Sequence, residues 1–436
     1  MGMMKEAVSS LLNALHTSRR EHQPGDAAHQ DPTAVAADYI PRLERNLLEN
    51  IVPFWLDRAV DREHGGYSIN HDHEGRALPP GTKGLVTQAR LLWLFSRLSR
   101  GEYGRPEHLE AAEWGYRFLL DAFRDTECGG FHWEVDAGGG RKVRSDKHLY
   151  GQAFALLALA EYALASGDAG ALDQADRCHE LIVGQGHDSR HGGYVESLDR
   201  HWRPLPAGEI SYLGLDARLK TMNTHMHLLE ATAAYLRARP MPMVRQRLME
   251  LILILSGTVV RSDANACADE FTRDWSPFQP ERTRVSYGHD LENAWLLIDA
   301  CEAADCSPHP LLPRLGAIFA YSLSHGYDSR RGGFYESGPP RRMADRRDKV
   351  WWVQAEAAVC CLRLHRLTGD ARYLSVFRGT YDFIELQQVD WVHGEWHGRV
   401  TTRGPAVEPK AHPWKTGFHN GRAMLECLEL LKSLRR

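Results

Sequence analysis

Ionisable and aromatic side chains in this sequence gather at one recurring place, the beginnings of apolar helical stretches. They read Gln88-Ala-Arg90, His148-x-Tyr150, Asn223-x3-His227-x2-Glu230, His289-x2-Glu292, Trp352-x3-Glu356 and Trp414-Lys415-x3-His419-x2-Arg422. Side chains three or four residues apart share a helix face. Asn223, His227 and Glu230 therefore point together while His225 points away; His289 lies with Glu292, Trp352 with Glu356, and His419 with Arg422. Histidine, with an unperturbed pKa of about 6.5, suits the taking and returning of protons near neutrality. One histidine on an apolar helix is more often a hydrogen-bonded core residue than a catalyst. Three at equivalent places of a repeat favour function. Three converging histidines also suit a metal ion, yet neither His-Glu-x-x-His nor paired-cysteine spacing occurs. Acid–base work without a metal is the stronger reading. Trp352 and Trp414 serve either as core filler or, at a cavity mouth, as platforms for sugar rings.

The elements that hold these residues repeat. The turn signature Asp-x3-Gly-Gly-Phe/Tyr occurs at Asp61–Tyr67, Asp125–Phe131, Asp188–Tyr194 and Asp328–Phe334. Two degraded copies fill the gaps: Asp263–Phe271, with Cys267-Ala268 in the glycine places, and Asp390–Trp396, with Glu395 in the second glycine place. Successive copies start roughly 62 to 75 residues apart, a period that sets the architecture before any motif does. In five of the six units a lysine follows the turn, at Lys83, Lys147, Lys220, Lys349 and Lys415. Apolar residues at helical spacing come next, as in GQAFALLALAEYAL and VQAEAAVCCLRL, and a second helix precedes each turn, as in AAEWGYRFLLDAF. Two helices in each of six units predict an all-α (α/α)6 barrel, inner helices ringed by outer ones. An open solenoid is the rival arrangement. The long polar loops fall on one side of the unit, which favours the barrel and places a cleft where the inner helices begin.

Charge excludes several classes of partner. The chain has 436 residues with 53 basic and 57 acidic side chains, both signs interspersed. That balance offers no footprint for nucleic acid or an anionic membrane. No apolar run is read as reaching the roughly 18 residues that span a bilayer, and the N-terminus lacks a secretory pattern. The eight cysteines show no metal or redox spacing, and most fall on apolar helical faces, as Cys360, Cys361 and Cys427 do. They read as reduced core residues of a cytoplasmic protein. Residues 1–36 are expected to form a loose extension, and residues 37–436 a single barrel domain.

Four strings carry a resemblance: Thr-Met-Asn-Thr-His-x-His-Leu-Leu-Glu at 221–230, Ser-Tyr-Gly-His-Asp-Leu-Glu-x-x-Trp-Leu-Leu at 286–297, Lys-x-Trp-Trp-x-Gln-Ala-Glu at 349–356, and Trp-Lys-x-x-x-His-Asn-x-Arg-Ala at 414–423. In order and spacing, from about Asp38 to the C-terminus, the chain resembles the N-acylglucosamine 2-epimerase superfamily, and within it the cellobiose 2-epimerases. The resemblance implies an (α/α)6 barrel acting on a small sugar without a cofactor, as a monomer or homodimer. It implies that His289 and His419 are the general acid/base pair and that Arg90 and His227 polarise the sugar oxygens around C1 and C2. Asn223, Glu292, Trp352, Glu356, Trp414 and Tyr150 are then expected to line the sugar site. Glu292, one turn from His289, is expected to orient that ring. Mannose epimerases and mannose–fructose isomerases of the superfamily share the same enediolate chemistry. An inverting glycoside hydrolase needs two carboxylates across the cavity; Glu230, Glu292 and Glu356 are available, but the histidines then go unexplained. A non-catalytic sugar- or protein-binding member would tolerate losing a histidine, and none is missing.

Overall fold

The computed structural model describes residues 31–261 and 263–435. Among the described residues twelve helices alternate between an outer and an inner ring. The outer ones are α1 (Pro32–Arg45, running on to Arg58), α3 (Pro106–Phe118), α5 (Ala169–Leu181), α7 (Pro242–Leu253), α9 (Leu312–Gly326) and α11 (Ala371–Phe383). The inner ones are α2 (Leu85–Ser99), α4 (Leu149–Ser166), α6 (Met222–Ala238), α8 (Tyr287–Ala303), α10 (Trp351–Thr368) and α12 (Phe418–Ser433). Each inner helix packs on the next, and α12 packs back on α2. The ring is therefore closed, and the fold is an (α/α)6 barrel rather than a solenoid. At the outer seam the Arg42 guanidinium of α1 reaches Asp382 of the last outer helix at 2.7 Å and Glu385, in the turn Ile384–Gln388 that follows it, at 2.6 Å. Of the expected extension, residues 1–30 lie outside the described residues. Residues 32–36 already belong to α1, capped by the Asp31 side chain, with Val35 and Ala36 buried.

The composition of α4 corrects one expectation. Leu149–Ser166 is long and apolar enough to cross a membrane, with a mean hydropathy of 1.2. It is apolar because neighbouring helices surround it: as an inner helix it buries residues on every face. Six of the eight cysteines are buried and all eight are free; Cys128 and Cys306 are partly exposed.

In five of the six units the turn is built from its Asp. The Asp61 carboxylate accepts from the backbone N–H groups of Glu63 and His64 at 3.2 and 2.9 Å, and Gly65 and Gly66 take φ of 85° and 64°. Those angles favour glycine. The lysines close the same turns: Lys83 reaches Asp61 at 2.7 Å, Lys147 Asp125 at 2.9 Å, Lys220 Asp188 at 3.1 Å and Lys349 Asp328 at 2.8 Å. In the sixth unit the partner of Asp390 is Lys410, at 2.8 Å, rather than Lys415. Lys415 instead pairs at 2.8 Å with Glu395, whose buried carboxylate also accepts from Trp55 and Asn420.

The fourth unit shifts register by two residues from the sequence expectation. Val260 bridges Cys267 where Val60 bridges Tyr67, and the Asn265 N–H donates to the Arg261 carbonyl where Gly65 donates to Asp61. Asn265 and Ala266 therefore occupy the glycine places, Cys267 the aromatic place and Arg261 the place of the Asp. With no carboxylate there, the absence of a lysine in this unit follows. Beyond the turns, two-residue strands ahead of inner helices pair with loops of the following unit, as Lys83–Gly84 does with Glu134–Val135 and Lys220–Thr221 with Glu270–Phe271. These staples fix the N-terminal ends of the inner helices around one opening.

Candidate active site

That opening is a cleft of about 370 Å3 lined by Arg90, Tyr150, Asn223, His227, His289, Glu292, Trp352, Trp414 and His419, together with Asp269. Nine of the ten residues expected at the site thus converge from all six inner helices or the loops that lead into them.

Two of the three histidines are held by buried carboxylates. His227 Nδ1 lies 2.9 Å from Glu230 Oε2, one turn along α6, and His419 Nδ1 lies 2.6 Å from Glu356 Oε1 of α10. A carboxylate accepts, so Nδ1 carries the proton and Nε2 is left as the nitrogen with no hydrogen-bond partner among the described residues. Burial pushes the His227 imidazole down to about 4 and the His419 imidazole to about 3, the Glu230 and Glu356 contacts opposing the shift. Both rings are neutral at neutral pH, so a free Nε2 is available as a base. His289 differs: neither of its ring nitrogens has a hydrogen-bond partner among the described residues. Its ring lies against Trp352, 4.9 Å between centroids, and the same Trp352 ring is 5.8 Å from His419. His225 points away from the cleft and accepts from the Tyr194 N–H at 2.9 Å, the place that Gln88 fills in the first unit.

Beneath the cleft the Arg422 guanidinium gathers three carboxylates from three helices. Nη1 is hydrogen-bonded to Glu230, and Nη2 donates to Glu292 at 2.7 Å and to Glu356 at 2.8 Å. One cation cannot balance three anions away from water. Burial and then repulsion from Glu356 push the Glu292 carboxyl well above the usual carboxylate range. Burial works against ionisation of Glu356 too, but Arg422 and His419 outweigh it and hold that carboxyl at about 2. Two expectations are corrected here. Glu356 does not line the cleft; it is fully buried under it, where it orients His419 and accepts from Trp295 Nε1 at 2.8 Å. Glu292 does not orient His289, because its carboxyl turns toward Arg422 and lies 4.0 Å from His419 Nδ1. Glu292, Glu356 and His419 bring possible metal-ligand atoms within 4.8 Å of one another. The Arg422 guanidinium already fills the space among the two carboxylates, so the cluster is a charge-compensated floor.

Arg90 enters from α2. Its guanidinium lies 4.4 Å from the Phe154 ring centre and donates to Tyr150 Oη at 3.1 Å and to the Trp414 carbonyl at 3.3 Å. Its remaining N–H groups include Nε, which is buried without a partner among the described residues. Such a cation, desolvated and held in place, is suited to a developing oxyanion. Trp414 sits at the rim, 36% exposed, with Tyr212 5.8 Å away. Asp269 and Arg422 were not among the residues expected from sequence. Asp269 stands two residues after the aromatic place of its turn, and from that place its carbonyl accepts from Met222 N–H at the start of α6, as the Trp133 carbonyl does from Leu85. The register as read placed that position at Arg273. Arg422 was visible in its motif, but its partners come from other units.

The sequence profile of N-acylglucosamine 2-epimerase matches residues 65–423. The chain belongs to this family. It is 33% identical to a cellobiose 2-epimerase of Bacteroides fragilis, over 89% of this chain and 97% of that one. Its identity to a D-mannose isomerase of Marinomonas mediterranea is 24%, over 89% and 96%. The solved cellobiose 2-epimerase of Spirochaeta thermophila superposes with a TM-score of 0.83 at 35% identity, covering 92% of this chain and 99% of that one. The protein is an enzyme of the isomerase class.

Proposed function

We propose that the enzyme is a carbohydrate 2-epimerase that inverts C2 of the reducing-end glucose or mannose unit of a β-1,4-linked disaccharide. The observation that carries this reading is the placement of His289 and His419 on different inner helices, at one cleft and against one tryptophan ring. A carbon between two such groups is deprotonated from one side and reprotonated from the other. With the open-chain sugar bound, His419 Nε2 takes the C2 proton, and the C–H electron pair passes into an enediolate whose charge builds on the C1 oxygen. Arg90 and the imidazole of His227 supply the charge and hydrogen bonding for that oxygen. His289 returns a proton to the opposite face. For the other epimer the two histidines exchange roles. A disaccharide is favoured over a monosaccharide because Trp414 and Tyr212 extend the aromatic wall out to the rim, beyond the reacting carbon.

Incubation with cellobiose, mannobiose and mannose in D2O tests the reading. The expected result is deuterium at C2 with the inverted disaccharide as product. Deuterium at C1 with a ketose product would instead support the aldose–ketose isomerase reading that the D-mannose isomerase relative favours. Release of monosaccharides would contradict both.

A further inference from the structure

Two cleft histidines lean on carboxylates from different helices, and both carboxylates end on one guanidinium. From His227 the line runs from Nδ1 to Glu230 Oε2 at 2.9 Å, and from Glu230 Oε1 to Arg422 Nη1. From His419 it runs from Nδ1 to Glu356 Oε1 at 2.6 Å, and on to Arg422 Nη2 at 2.8 Å. Arg422 lies under the cleft without lining it, 2% exposed. The Trp295 and Phe418 rings hold its guanidinium, with centres 4.8 and 4.5 Å away. We propose that Arg422 is the positioning residue for both histidines: its two outer nitrogens keep Glu230 and Glu356 ionised, so each imidazole carries its proton on Nδ1 and leaves Nε2 free. The proposal rests on the epimerase reading and deepens it.

The argument is one of donors and acceptors. An ionised carboxylate only accepts, so the Nδ1 facing it must donate. A protonated carboxyl instead offers an O–H to Nδ1, and the imidazole proton then belongs on Nε2, where it blocks the base. Burial disfavours the ionised form, so the outcome depends on a countercharge. In Glu230 and in Glu356 alike, Arg422 is the largest influence opposing burial, ahead of the histidine itself. The shape of the group matters as well. Glu230 stands on α6 and Glu356 on α10, and they meet different nitrogens of one planar fork, which a single ammonium does not offer. The third carboxyl on the fork, Glu292, lies 2.7 Å from Nη2 and 4.0 Å from His419 Nδ1, so it is no hydrogen-bond partner of a histidine. Among the described residues His289 has no hydrogen bond or ion pair to any carboxylate, and the line from Arg422 does not reach it. One guanidinium thus sets the tautomer of His227 and His419 and leaves that of His289 alone. During the reaction His419 takes the C2 proton on Nε2 while Nδ1–H stays with Glu356, and Arg422 exchanges no proton.

Arg422→Met removes the charge and Arg422→Lys the fork, each in the full chain. In sugar-free protein carrying 15N-labelled histidine, NMR of the ring nitrogens reads each tautomer, with His227→Gln and His419→Gln assigning the signals. The wild-type protein should show both rings protonated on Nδ1. Arg422→Met should move both protons to Nε2 with the His289 signals unchanged, and Arg422→Lys should move at least one. C2 deuterium exchange should fall about a hundredfold from the epimer that His419 deprotonates, the size of a lost acid–base contribution, and far less from the other epimer. Both rings keeping Nδ1–H in a folded Arg422→Met protein, or equal losses of exchange from the two epimers, would reduce Arg422 to a structural ion and overturn the proposal. If Arg422→Met does not fold, Arg422→Lys decides, and two unmoved rings there overturn it. A wild-type ring protonated on Nε2 at either histidine would overturn it before any substitution. A wild-type enzyme inactive on all the sugars would count only against the substrate reading, because the tautomers are read without sugar.

Discussion

Trp352 and Trp414 meet the cleft differently, which separates two jobs an aromatic platform does. Trp352 lies inside, packed on both His289 and His419, whereas Trp414 stands at the rim beside Tyr212. Trp352→Ala is therefore expected to lower kcat/KM for disaccharide and monosaccharide alike. Trp414→Ala should cost the disaccharide about tenfold to about a hundredfold more than mannose, the worth of roughly 1–3 kcal/mol of lost contact. Equal losses at Trp414 would place its ring on the reacting sugar. Nine of the fifteen cleft-lining residues were legible in the sequence, because they gather at the starts of the inner helices, where helix spacing puts pairs such as Asn223 and His227 on one face. The role of Glu356 was not. Whether a carboxylate touches a ligand or a histidine depends on how deep it sits, and depth is set by packing between units.

The repeating element is held together by an ion pair that the sequence displayed without explaining. Lys147 is fully buried and bonded to Asp125, whose carboxylate also orders its turn. Lys147→Met leaves that carboxylate with Arg200 and the turn N–H groups but strips its buried countercharge. Breaking a buried pair from one side costs about 3–5 kcal/mol, so urea unfolding should report a loss of about that size. A loss under about 1 kcal/mol would show that Arg200 alone suffices. The fourth unit shows where element reading failed. Sequence matching anchored on Asp263 and Phe271, the residues that look like the signature, while the backbone pairs Val260 with Cys267. A turn tolerates Asn and Ala in the glycine places when the bridge and the carbonyl contact persist: Asn265 takes a φ of 50° without glycine. That slip, two residues at the glycine places and four at the aromatic place, hid Asp269.

At the scale of the molecule, six units closing on themselves produce one cleft, and burial holds imidazoles neutral both at the cleft and elsewhere in the barrel. Burial is the largest cause holding His132, His179, His227, His397 and His412 down to about 4 and His419 to about 3. In the unfolded chain these groups protonate near 6.5. Between about pH 6.5 and about pH 4 the unfolded state binds more protons, so stability falls as pH falls through that window. Asp290 acts oppositely: burial raises its carboxyl to about 7, which favours the folded state as pH falls. The carboxyls of Asp269, Glu270 and Glu292, also raised by burial, act with Asp290; the six imidazoles outnumber these four, and the midpoint of urea denaturation is expected to be lower at pH 5 than at pH 7. An unchanged or higher midpoint would count against neutral buried histidines. The closed barrel was legible from the period and the one-sided polar loops; the contacts between the first and last units that close it, such as Arg42 with Asp382, were not. The account's central claim is that two histidines act from opposite faces of one carbon. C2 deuterium exchange in D2O by His289→Ala and by His419→Ala, each started from the gluco and from the manno epimer, tests it most directly. Each variant should lose inversion and keep exchange with one epimer only, and the two variants should keep opposite epimers. Inversion surviving in either variant, or both variants retaining exchange with the same epimer, would contradict the account.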